Sequence, residues 1–176
     1  MQNIFFDDKF IENKISSLRM LMSDALAPAL LLQQEADSRL RHFDFQSAWR
    51  LGQLIQARAA EQQLPVAIEV YAFGQQLFLA ALPGSAANNL EWMRRKRNTV
   101  LRYGNSSMYV GVINTQNGEP MAIQSFINQY DYTDHGGAFP LLNQSGAVIG
   151  AVSVSGLPSA DDHALALWGI RQLQQR

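Results

Sequence analysis

Residues 135–171, HGGAFPLLNQSGAVIGAVSVSGLPSADDHALALWGIR, decide the fold. Gly136 and Gly137 open the stretch as a loop that bends before Pro140. Paired glycines accept positive φ and let backbone N–H groups converge on an anion or a cofactor edge. Ala147 to Ser155 then reads as a strand, its VIGAVSV run apolar enough to be buried on both faces. A tight loop, Ser155-Gly156-Leu157-Pro158, leads into a terminal helix from Ser159, whose hydroxyl is the predicted cap. Asp161 and Asp162 fall in the first turn, where carboxylates favour the positive end of the helix dipole.

Working back along the chain, Phe6, Phe10, Ile11, Ile15, Leu18 and Met22 recur at helical spacing and predict an amphipathic helix over 6–22. After Pro28, LLLQQEADSRLRHF starts as helix and ends as an edge strand. Asp44 is the expected N-cap of the next helix, and Gly52 within it implies close packing on a sheet. VAIEVYAF, a Gly74-Gln75 turn and QQLFLAAL form a hairpin. Asn88, with Glu91 three residues on, has the spacing of a reciprocal cap for a helix running to Tyr103. Ser107 to Ile113 reads as a strand and Met121 to Tyr130 as a short helix with Met121, Ala122, Ser125 and Phe126 facing inward. The order predicts an α+β fold with a mainly antiparallel sheet of about five strands and helices on both faces. One domain is expected over 1–176, with 1–42 as an N-terminal helix and connecting segment packed on it.

The apolar share of 47% and charged share of 16% exclude disorder. A net charge of −1 gives the whole molecule no reason to seek nucleic acid or a membrane surface. MQNIFFDDKF lacks the basic and long apolar regions of a secretory signal, and no run reaches the length of a membrane span. A cytoplasmic protein is expected. With no cysteine, disulfides and thiolate chemistry are excluded. His42, His135 and His163 share no i, i+3 or i, i+4 spacing, so no dedicated metal site is expected. Met93, Met108 and Met121 read as core filler.

Three clusters carry candidate chemistry. Arg94-Arg95-Lys96-Arg97, with Arg102 beyond, is a basic run in a stretch free of acids from Trp92 to Gly118. Successive helical residues point about 100° apart, so only one or two of these, Lys96 and Arg97, can turn toward a cleft to meet a carboxylate or phosphate. The bland alternative is a solvated face or a set of subunit contacts. His135-Gly136-Gly137 offers an imidazole and backbone donors, or simply a bend. Ser155, Asp161, Asp162 and His163 invite a hydrolase reading, but Asp162 and His163 point apart and no nucleophile elbow is present. Catalytic residues are not assigned from the sequence.

Taken together, FDFQSAWRLG, PVAIEVYAFGQQLF, NNLEWMRRKRNTVLRYGNSS and HGGAFPLL…GAVIGAVSVSGL…DDHALAL resemble the haem-degrading-domain, or GlcG/HbpS-like, family. The resemblance runs from about Phe43 to the C-terminus and is closest to the branch with a DH dipeptide in the last helix. It implies a profilin-like α/β/α layering, symmetric homo-oligomers, and an apolar and basic cleft that some relatives use for haem or corrinoid. Positions matching such a cleft are Trp92, Lys96, His135, Gly136, Gly137, Phe139, Ser155 and Gly156. Tetrapyrrole-binding relatives share no single axial ligand, so no residue here inherits that role, nor does the family name confer an activity. Two functions follow as expectations. One is a small-ligand-binding domain in a homo-oligomer, its anionic or tetrapyrrole-type ligand held by Lys96 or Arg97 and the His135-Gly-Gly backbone. The other is an oligomeric assembly or adaptor protein whose basic helix serves subunit contacts.

Overall fold

The computed structural model describes residues 27–175, so the helix expected over 6–22 lies outside the described residues. Helix α1 (Pro28–Asp37) leads through a connector to α2 (Phe45–Glu61), the hairpin β1 (Ala67–Ala72) and β2 (Gln75–Ala81), then α3 (Ala87–Tyr103) and α4 (Ser107–Gln116). After a single 3-10 turn, Met121–Ile123, come β3 (Ala138–Leu142), β4 (Val148–Ser155) and α5 (Ser159–Gln174). The strands lie in the order β2-β1-β4-β3, every pair antiparallel. Among the described residues no helix is long and apolar enough to cross a membrane.

Alternation along the strands builds the layers. Ile68, Val70, Val152, Val154 and Phe139 turn to one face and meet Leu51 and Ile55 of α2 and Leu165 and Ile170 of α5. On the other face Ala138 and Ala151 receive Val100 of α3. Asp44 caps α2 as expected, accepting from the Ser47 N–H at 2.7 Å. Gly52 explains itself by contact, since a Cβ there would overlap the Phe78 ring of β2. The hairpin turns through Phe73 and Gly74, both at positive φ (54° and 79°), which matches the twist of the flanking strands.

The sheet has four strands, not five, and the differences have local causes. Ser107–Gln116 is helix although Tyr109, Val110, Val112 and Ile113 favour a strand. Its start is fixed from outside: buried Glu35 accepts from the Ser106 N–H and from Asn105, each at 2.7 Å, and Ser106 caps through Tyr109 N. Tertiary contacts thus override propensity. Conversely Ala138–Leu142, where the sequence predicts a bend before Pro140 and no strand, is the outer strand beside β4, a place where Pro140 is tolerated. The expected strand after α1 shrinks to one parallel bridge between Leu40 and Asn143. Over 121–130 only Met121–Ile123 is helical; Met121 is buried, but Phe126 points to solvent. Helix α3 begins two residues before the Asn88-Glu91 spacing implied, and Asn89 reaches back to the Ala86 N–H at 2.7 Å, while Glu91 pairs with Arg94. At α5 the capping position is Pro158, without a side-chain cap from Ser159.

Candidate functional site

The N-terminal end of α5 meets the C-terminal end of β4 under α3, and Asp162 organises the junction. Its Oδ1 accepts from the Leu157 N–H at 3.0 Å, and the Gly156 N–H also serves the carboxylate. Its Oδ2 accepts from Lys96 Nζ at 2.8 Å. Lys96 is 3% exposed and also donates to Val154 O at 3.1 Å. Burial pushes the Lys96 ammonium below the ordinary lysine range, and the neighbouring Asp162 charge only partly opposes this. Burial likewise pushes the Asp162 carboxyl up, against Lys96 and the two backbone donors. Both shifts point the same way: desolvation of the pair outweighs its mutual attraction, the usual balance for a buried ion pair.

Gly137 closes over this pair. At φ 126° it accepts from the Val154 N–H at 2.8 Å, and a Cβ there would lie 2.5 Å from both Lys96 Nζ and Val154 O. Only glycine fits this approach. Its neighbour His135 is aimed by α3: Thr99 Oγ1 donates to Thr133 O at 2.7 Å, Asn98 holds Asp131 O, and Arg94 holds the Asp131 carboxylate and Tyr130 O. The His135 ring meets Trp92 edge-to-face at 5.1 Å, and the Arg95 guanidinium lies 4.1 Å over Trp92.

These residues line a shallow cleft of about 290 Å³ with Asn89, Trp92, Lys96, His135, Ser155, Gly156, Leu157, Ser159 and Asp162 on its walls. Asn89 donates to Ser155 Oγ at 3.2 Å, which leaves the Ser155 O–H free to donate. Of the positions singled out from sequence, Trp92, Lys96, His135, Ser155 and Gly156 come together here. Gly136 lies behind the cleft against Met108, Gly137 beneath it against the ion pair, and Phe139 in the core under α5. Arg97 turns away: Nη1 donates to buried Glu69 at 2.6 Å, and the guanidinium lies over Tyr71. His163 also leaves the cleft, as its spacing from Asp162 implies. Its Nε2 lies 2.9 Å from Gln34 Oε1 and its ring packs on Phe139. Burial first, and Arg171 second, push its pKa down to about 4.

Asp162 and Arg95 belong to clusters that the sequence marks, but neither is among the positions it assigns to a cleft. Asp162 reads as a dipole partner at a helix start, and its partner Lys96 is 66 residues away. The i, i+3 spacing of Trp92 and Arg95 is the signal that could have revealed their contact.

A sequence profile described as haem degrading protein HbpS-like matches residues 43–171. The chain belongs to this HbpS-like family. Relatives named UPF0303 protein include one from Psychromonas ingrahamii, 42% identical over 143 residues, covering 81% of this chain and 90% of that protein. Another, from Streptomyces avermitilis, is 40% identical over 158 residues, covering 88% and 97%. Among solved structures, the Ybr137w protein superposes with a TM-score of 0.80 at 29% identity, covering 98% of this chain and all of that one (100%). A PduOC:Heme complex shares the HbpS-like fold with a TM-score of 0.63 at 20% identity, covering 73% and 93%.

Proposed function

We propose that the cleft binds one edge of a planar, carboxylate-bearing small ligand of the tetrapyrrole class. The observation that carries this reading is the Trp92–His135 ring pair standing at a cleft whose floor is the buried Lys96–Asp162 pair. An aromatic wall, an imidazole and a hydroxyl on rigid elements are what a flat, polar-edged ligand needs. Family membership and the haem complex formed by a structural neighbour favour the same class.

The residues present fit such a ligand at one edge. The His135 side chain is exposed and has no hydrogen-bond partner among the described residues, so a ring nitrogen is free to meet a metal. Arg95 has no acidic partner among the described residues and lies over Trp92, so it would be the cation to meet a carboxylate of such a ligand. Lys96 does not supply net charge, because Asp162 neutralises it. The 290 Å³ volume lies at the lower end of ligand pockets, roughly 300–1,000 Å³, so most of a macrocycle would lie outside the cleft. Haem, when bound, supplies an iron centre whose chemistry is its own; the chain binds and orients it.

Titration with haemin, followed at the Soret band, tests this. A saturable red shift that His135→Ala abolishes and Trp92→Ala weakens by about tenfold is expected. An unshifted band overturns the tetrapyrrole class, and an unchanged shift in His135→Ala overturns the role of His135.

One observation favours assembly into homo-oligomers beside this binding role. Ile123, Phe126 and Tyr130 are 70%, 81% and 84% exposed, yet their loop is tied down by Arg94, Gln124 and Asn128. A held loop displaying three large apolar side chains suits a subunit contact. The basic run itself is a poor candidate, since Arg94 is engaged within its own protomer by Glu91 and Asp131. Sedimentation of Phe126→Ser against the unmodified protein distinguishes the cases: a smaller particle is expected, and an unchanged one removes the loop from assembly.

A further inference from the structure

A second concavity, wider than the cleft, lies away from it. It runs between the 39–44 connector, the first turns of α2 and the end of α5, and encloses about 1280 Å³. Arg39, Arg41 and Arg50 line it, all exposed, and none has an acidic partner within salt-bridge distance among the described residues. Phe45 and Trp49 stand on the same wall, 54% and 56% exposed. Each is buttressed from behind: Phe45 stacks on Phe73 at 5.6 Å, and Trp49 meets Phe78 edge-on at 5.7 Å. The connector is pinned as well, with Gln174 of α5 donating to Asp37 O and Arg39 O. The wall is therefore a held surface of aromatic and guanidinium groups, the composition that concentrates binding energy in protein contacts.

We propose that this groove docks an acidic peptide segment of another protein, with an apolar or aromatic side chain seated against Phe45 and Trp49. Charge complementarity sets the sign, since three guanidiniums await carboxylates. Size argues for an extended segment over a small molecule, because the groove exceeds the roughly 300–1,000 Å³ of ordinary ligand pockets. Asp44 argues for a peptide over a continuous polyphosphate. Its carboxylate lines the same groove and is held at a pKa of about 2, first by the Ser47 N–H and then by His42, so it stays charged. A peptide can present a backbone N–H or a lysine there, whereas a nucleic-acid backbone would bring phosphate against it.

Isothermal titration of the full chain with a short synthetic peptide of alternating glutamate and aspartate, interrupted by two phenylalanines, tests the assignment. Saturable binding is expected, about tenfold or more weaker in Arg41→Glu/Arg50→Glu and in Trp49→Ala, and weaker again as salt is raised. These positions are exposed, and circular dichroism of each variant separates lost docking from lost folding. The lysine counterpart of the peptide should not bind. Absence of peptide binding, affinity indifferent to the three substitutions, or tighter binding of an oligothymidylate of equal length each overturns the proposal. So does a change in particle mass in Arg41→Glu/Arg50→Glu, which would assign the groove to a second copy of the chain.

Discussion

The basic run of α3 and the arginines of the α2 groove use the same side chains in opposite ways. In α3 four cations are consecutive, yet Arg94, Lys96 and Arg97 are paired with Glu91 and Asp131, Asp162 and Glu69, while Arg95 lies on Trp92. In the groove Arg39, Arg41 and Arg50 are scattered in sequence and have no acidic partner among the described residues. Charge density along a chain is thus a poor guide to charge available for binding. What matters is whether the fold supplies a counter-ion, and Asp131, Asp162 and Glu69, all distant in sequence, supply it to α3 beside the local Glu91.

The comparison breaks if removing an α3 partner is cheap. Asp162→Ala strips Lys96 of its counter-ion and the Leu157 and Gly156 N–H groups of their acceptor. It is expected to cost about 3–5 kcal/mol in urea unfolding. Joint replacement by Lys96→Met and Asp162→Leu should cost less than either single change, because no orphaned charge remains.

The next effect concerns histidines, which divide in the same manner. His163 is buried with a folded pKa of about 4, below the unfolded value of about 6.5, whereas His42 and His135 are exposed. The unfolded chain then binds the proton first, so His163 costs no stability above pH 6.5 and destabilises the fold as pH falls toward 4. The loss is on the order of 3 kcal/mol across that window. His163→Gln should flatten this part of the pH–stability curve; an unchanged slope would place the acid sensitivity elsewhere.

The smallest stability effect belongs to the groove. Arg41→Ala and Arg50→Ala should each shift unfolding by no more than about 0.5 kcal/mol, since neither makes an ion pair among the described residues. A loss comparable with that of Asp162→Ala would show that these arginines are structural, and the contrast would fail.

Much of the fold was legible because local signals and tertiary demands agreed. Asp44 as a cap, the hairpin around Gly74, the buried run before Ser155 and the end of α3 near Tyr103 all stand. Where the reading failed, a distant residue decided the outcome. Glu35 fixes the start of α4 and turns a strand-like sequence into helix. Pro140 disguises β3 because its tolerance depends on an edge position that no local window reveals. The candidate site follows the same rule. Trp92, His135 and Ser155 could be suspected one by one, but the pairing of Lys96 with Asp162 and the departure of Arg97 toward Glu69 depend on strand order.

The most direct test is an amide and indole NMR titration of the full chain with zinc protoporphyrin, a diamagnetic planar dicarboxylate. The expected result is perturbation centred on the Trp92 indole, His135 and the 155–157 loop, with Trp49 and the Arg41–Arg50 wall unmoved. Perturbation centred on the groove, or none at saturating ligand, would contradict the assignment of the cleft as the small-ligand site.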